Sequence, residues 1–159
     1  MTPQEAIDMY EPVMPSPYIF RREALRTYIL AGRGAITARS EISRKRYTFK
    51  FSRPAHKLGG KQALFVRLVT GPDGETTFIG TIWPDGRFAA DRKRGTFQAK
   101  AAFAWLWQQA RLDGGNLPSN VAVWHEGSCG LCGRALTVPE SIESGFGPVC
   151  QARMMKAGV

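Results

Sequence analysis

Cys129 and Cys132 are separated by two residues, Cys150 follows after 17 more, and His125 stands four residues before the first cysteine. A C-x-x-C turn presents two thiolates to one ion, and zinc takes four tetrahedral ligands of Cys and His type. Gly130 and Gly133 suit such a turn, because backbone amides point at the sulfurs there and a side chain would obstruct them. The run Gly147-Pro148-Val149-Cys150 reads as the start of a helix with proline early, which sets the third thiolate among exposed amides at the positive dipole end. A treble clef would draw its fourth ligand from three residues beyond Cys150, but that residue is Arg153. His125 is therefore taken as the fourth ligand, with His56, Glu126 or a water as the alternatives. The expectation is a structural Zn2+ site of His125, Cys129, Cys132 and Cys150. An odd number of cysteines argues against a disulfide framework, and no thioredoxin-like strand-to-helix setting surrounds the C-x-x-C to support a redox pair.

A second chemistry lies in the charge. The chain carries a formal +9, but residues 20–67 alone hold 13 Lys or Arg against Glu23 and Glu41, a local net of +11. Clustered bases attract a polyanion far better than the same charge dispersed. The candidate nucleic-acid contacts are Arg33, Arg39, Arg44, Lys45, Arg46, Lys50, Arg53, Lys57 and Lys61, with Arg92, Lys93 and Arg94 as a second cluster before Thr96. On a strand, Tyr47, Phe49 and Phe51 share one face and Arg46, Thr48 and Lys50 the other, so aromatics can pack a core while bases meet phosphate. The reverse, aromatics stacking on bases, requires them to be exposed.

The elements that must position these residues follow from turns and periodicity. Residues 35–40, 46–51, 64–70, 76–83 and 87–90 read as short strands, broken by Gly71-Pro72-Asp73-Gly74 and Pro84-Asp85-Gly86. The apolar run 28–31 carries a strand signal too, and residues 18–30 suit a helix or a first strand equally. Thr96 offers an N-cap to a helix of about four turns, stopped by Gly114 and Gly115. A last strand, 121–124, runs straight into His125, and beyond the cysteine turn come a strand at 134–138, a helical turn at 139–144 ended by Gly145, and the terminal helix. The proline-rich residues 1–18 read as an arm, with a short helix at 3–10.

The fold class expected is α+β: an antiparallel β-meander with one packed helix, followed by a small treble-clef or zinc-ribbon-like module. Its divisions are an arm at 1–18, a basic sheet-plus-helix domain at 19–124 and a zinc-binding module at 125–159. No stretch approaches the roughly 20 apolar residues of a membrane helix, and the acidic N-terminus lacks the basic and apolar regions of a secretory signal, so a cytoplasmic protein without membrane contact is expected.

The run from Cys129 to Cys150 fits the pattern C-x-x-C-G-R-x-L-T-x-P-x-S-x-x-x-G-x-G-P-x-C over 22 of the 159 residues. It resembles a cysteine-containing module of unknown function common in bacteriophage and actinobacterial proteins. From about residue 28 through Trp124-His125-Glu126-Gly127, the chain looks like uncharacterised phage proteins that carry this module after a strand-rich domain. The resemblance implies zinc and a phage origin, and no activity comes with it.

Catalytic constellations are poor: no paired carboxylates, H-E-x-x-H, phosphate loop or Ser/His/Asp order is present. The zinc-deaminase pattern fails because Glu126 adjoins His125 instead of lying two residues on, and no proline precedes Cys129. The reading is a non-enzymatic, phage-type accessory protein that binds DNA or RNA through its basic surface, in host cytoplasm if phage-encoded. The alternative is a protein-binding inhibitor of a host nucleic-acid enzyme, of anti-CRISPR or polymerase-modulator type.

Overall fold

The two faces of one sheet divide the apolar and basic residues, and this division organises the rest. The computed structural model describes residues 2–3, 16–54 and 62–156. Six strands, β1 (Ala35–Ser40), β2 (Arg46–Ser52), β3 (Leu64–Val69), β4 (Thr76–Ile82), β5 (Phe88–Ala90) and β6 (Val121–His125), form an antiparallel sheet in the order β5-β4-β3-β2-β1-β6. The first five make the expected meander, and β6 returns to the free side of β1. Residues 17–19 run along the outer edge of β6, where Ile19 N–H donates to the Val123 carbonyl at 2.8 Å and His125 N–H to that of Pro17 at 3.1 Å. Residues 1 and 4–15 of the expected arm, which include all but the first residue of its short helix, lie outside the described residues, as do His56, Lys57 and Lys61.

Two helices cover one face: α1 (Arg22–Ala31) and α2 (Phe97–Arg111). The apolar run 28–31 is thus the end of a helix and not a strand. Leu25, Tyr28 and Ile29 fall at the i, i+3, i+4 spacing of one helical face, and all are buried against the sheet. No side chain caps the start of α1; its Arg22 N–H is met instead by the Gly115 carbonyl at 3.2 Å, and Gly32, at φ +97°, ends it. Thr96 caps α2 by accepting from Ala99 N–H at 3.2 Å. Phe103 of α2 stands at the centre of the core, 5.0 Å from Phe49, 5.9 Å from Phe51 and 4.9 Å from Phe88 between ring centroids.

A bulge between Val66 and Arg67 lets Ile79, Gly80 and Ile82 of β4 all be buried, while Phe78 stays opposite Arg67. Gly80 is required there: a Cβ would lie 2.6 Å from the Ala89 carbonyl oxygen. Beyond β6 come two short helices, α3 (Pro139–Ser144) and α4 (Pro148–Lys156). The strand expected at 134–138 is reduced to a single bridge, Ser128 to Ala135, flanked by bonds from Cys129 N–H to the Arg134 carbonyl and from Leu136 N–H to the Gly127 carbonyl, both 2.8 Å. Cys129, Phe146 and Cys150 join the same buried cluster as the sheet and both long helices. Among the described residues no helix is long and apolar enough to cross a membrane.

Truncating the central aromatic should be costly and truncating an exposed one should not. Phe103→Ala is expected to lower unfolding free energy in a denaturant titration by about 3–5 kcal/mol. Phe97→Ala, at a residue 79% exposed, should change it by less than about 0.5 kcal/mol.

Candidate metal centre and basic sheet face

Downstream of β6 the chain folds back on itself: Cys129 N–H donates to the Arg134 carbonyl at 2.8 Å and Gly133 N–H to that of Cys129 at 2.9 Å. Gly133 adopts φ +78°, which a side chain would strain. Gly130 has no room for one, since a Cβ would sit 2.8 Å from the rings of both Phe146 and Tyr28. Cys150, in the first turn of α4, completes a group in which all three Sγ atoms lie within 4.8 Å of one another. Sulfurs around a tetrahedral zinc ion, at bonds of about 2.3 Å, stand about 3.8 Å apart, which this limit admits. Cys129 and Cys150 are buried and Cys132 is exposed.

The electrostatics of the group favour a cation. Burial pushes the Cys129 thiol up, but the N–H groups of Gly147, Cys132 and Leu131 outweigh it and bring it down to about 7. Gly147 N–H itself donates to Cys129 Sγ at 3.4 Å. Burial, reinforced by the neighbouring Cys132 and Cys129, pushes the Cys150 thiol up to about 11. Three adjacent thiols cannot all ionise unaided, and a bound metal ion removes that conflict.

His125 was expected in this group, and the structure does not bring it there. Its ring lies under Tyr28 at 5.7 Å between centroids. Nδ1 accepts from Gly127 N–H at 3.0 Å, and Nε2 bonds the Ile142 carbonyl of α3. An acceptor at Nδ1 and a carbonyl at Nε2 fix the neutral Nε2–H tautomer and use both nitrogens. The physical reason is burial: at 2% exposure the ring must satisfy both polar atoms locally. Glu126 is also engaged elsewhere, accepting from the Thr37 hydroxyl. Among the described residues the cysteines gain no fourth His, Cys, Asp or Glu side chain.

The basic residues part into two sets. Arg39 of β1 sits directly across from Arg46 of β2, and Lys50 of β2 directly across from Arg67 of β3, all on the sheet face opposite the helices. Among the described residues no helix lies on that face. Arg39 bonds Glu41 at 2.9 Å, whereas Arg46, Lys50 and Arg67 have no ion-pair partner among the described residues. The pair with Arg39 holds the Glu41 carboxyl below its ordinary range. Between the two basic pairs runs the row Trp124–Thr37–Thr48, whose threonine hydroxyls bond at 2.7 Å. Arg94 reaches the same face, its guanidinium 4.7 Å from the centroid of Phe78, while Arg92 and Lys93 border the adjoining hollow.

The other bases serve the fold or lie apart. Arg53 bonds the Leu30 carbonyl at the end of α1, and burial holds it below the ordinary arginine range. Arg22 reaches the Gln109 carbonyl at the end of α2 at 2.8 Å. Arg33 abuts the cysteine turn, donating its N–H to the Gly130 carbonyl at 2.8 Å. Arg44 and Lys45 occupy the turn between β1 and β2, where Arg44 pairs with Glu41 at 3.3 Å. As expected, Phe49 and Phe51 are core, with Tyr47 half-buried beside them. The sequence reading missed Arg67, Phe65, Phe78 and Trp124. The signal for Arg67 was present: one charge inside the apolar run Leu64-Phe65-Val66-Arg67-Leu68-Val69 marks the outward positions.

Residues 123–155 match the model of a family of unknown function, DUF6011. No curated protein and no solved structure matches the chain.

Ligand and brace separate by metal analysis of purified variants. Cys150→Ser is expected to lose the bound metal. His125→Ala should keep one equivalent while losing about 1–3 kcal/mol of stability, the cost of orphaning the buried groups it satisfies. A metal-free His125→Ala protein would restore the histidine as a ligand.

Proposed function

We propose that this chain is a non-enzymatic protein that binds DNA or RNA through the helix-free face of its sheet, with a structural zinc ion fastening its C-terminal end. The observation that carries this reading is the register that sets like charges, Arg39 and Arg46, Lys50 and Arg67, directly across neighbouring strands. Like charges in that position destabilise a sheet. Two such pairs on one face are a cost that a polyanion recovers, since neutralised phosphates release counterions.

For the metal, three thiolates quench the charge of a divalent ion and weaken it as a Lewis acid, and among the described residues no carboxylate or imidazole joins the group to act as a base. That composition supports a fastener. The resemblance of the Cys129–Cys150 run to a module common in phage and actinobacterial proteins supports a phage-type accessory role in the cytoplasm of a host.

Lys50→Glu tests the reading through two readouts of opposite sign. It converts the pair with Arg67 into an attractive one, so the variant should be more stable by about 0.2–1 kcal/mol. Its affinity for a labelled oligonucleotide should nevertheless fall several-fold, and the slope of log affinity against log salt should shrink by about 1. Unchanged affinity, or no binding by the parent protein at low salt, refutes the proposal.

A further inference from the structure

We infer that the same face is a stacking platform for single-stranded nucleic acid, a refinement that rests on the nucleic-acid reading above. Phosphate attraction alone does not distinguish one strand from two. Aromatic residues on this face do, because a base offers its π surface only when unpaired.

Tyr18 pairs with Trp124 at the outer edge of β6, their ring centroids 5.5 Å apart, and this row continues through Thr37 and Thr48, while Phe78 ends the row Ala35–Lys50–Arg67–Phe78. Phe65 lies in the next row and meets Phe78 edge-on, with centroids 5.6 Å apart and planes at 89°. Trp124, Phe78 and Phe65 are half-buried and Tyr18 is exposed, with no helix over them among the described residues. Each end of the platform also carries an arginine against a ring: Arg39 lies 5.3 Å from the centroid of Trp124, and Arg94 lies 4.7 Å from that of Phe78. A guanidinium plane over an aromatic ring prolongs the stack and brings its positive charge to the phosphate side.

Spacing supports one continuous track. Arg46 and Lys50 are four residues apart on β2, about 13 Å along the strand, and adjacent strands are separated by about 4.8 Å. The bases therefore bracket the threonine row, with Trp124 at one side of the sheet and Phe78 at the other. Among the described residues three carboxylates touch this face, Glu41 on Arg39, Glu126 on Thr37 and Asp91 on Arg94 at 3.4 Å, and none is paired with Arg46, Lys50 or Arg67. Charge complementarity thus selects a polyanion, and the rings select its unpaired form.

The test is fluorescence anisotropy with a labelled 20-nucleotide oligothymidylate and a mixed-sequence duplex of roughly equal length at the same salt, supporting site sizes of about 4–16 nucleotides. The single strand is expected to bind about tenfold or more tighter than the duplex. Trp124→Leu combined with Phe78→Leu keeps apolar bulk, and should cost the single strand about tenfold or more while leaving the salt slope unchanged. Phe78→Leu alone provides the smaller step should the double variant melt early. Equal or tighter duplex binding, or leucine variants that bind the single strand like the parent, overturns the stacking platform; if Lys50→Glu still weakens binding in that case, the broader reading survives. Absence of binding to either probe at low salt overturns both.

Discussion

Tyr28 is the point at which helix, sheet and cysteine turn are joined, and the order of the C-terminal third depends on it. Its hydroxyl donates to the Ser128 carbonyl at 2.7 Å and accepts from Ala35 N–H at 3.3 Å, tying α1 to the chain just before Cys129 and to the start of β1. Burial is the chief reason that its phenol titrates above the ordinary range. The ring fills space that three glycines leave open: a side chain at Gly34, Gly130 or Gly145 would collide with it. Phe146 and His125 pack on the same ring, at 5.9 and 5.7 Å between centroids. His125 in turn holds α3 through the Ile142 carbonyl. The cysteines thus converge because an aromatic wedge and a bonded imidazole fix both ends of the turn, and a metal ion would lock an arrangement that packing has already drawn together.

The two faces of the sheet obey opposite rules. On the helix side, Phe49, Phe51, Val66 and Ile79 meet Leu25, Phe103 and Leu106, and burial of apolar surface governs. Arg22 and Arg53 are absorbed into this side as partners for the last carbonyls of the helices. On the other side, Glu41 offsets Arg39 beside Arg46, whereas Lys50 faces Arg67 with no acidic partner for either among the described residues. A protein selected for stability alone gains nothing from Lys50 facing Arg67. The proposed role gives that arrangement a physical return, and it places the metal far from the binding surface in function, as an element that holds the end of β6 and thereby Trp124.

Much of the sheet was legible because its signals are local. Gly74 and Gly86 turn the chain with positive φ, and strand alternation assigned Phe49 and Phe51 to the core and Arg46 and Lys50 to the outside. The cap at Thr96 and the stop at Gly145 are equally local. The first helix was harder, since Tyr28 and Ile29 are good strand formers and its start is satisfied by Gly115, 93 residues away in the chain. His125 illustrates a different limit. A histidine four residues before a C-x-x-C suits a ligand and a brace alike, and only the position of the Ile142 carbonyl decides between them. The bulge at Val66 and Arg67 likewise sets which face Phe78 takes, and no run of residue types announces it.

The central claim is that nucleic acid occupies the helix-free face. The most direct measurement is a two-dimensional amide NMR titration of the isotope-labelled, metal-loaded protein with a short oligothymidylate at low salt. The account predicts chemical-shift changes concentrated at Arg39, Arg46, Thr48, Lys50, Arg67, Phe78 and the indole of Trp124, with little change along the outer surfaces of α1 and α2. Changes centred on the helices, or on Arg33, Arg53 and the cysteine turn, would contradict it.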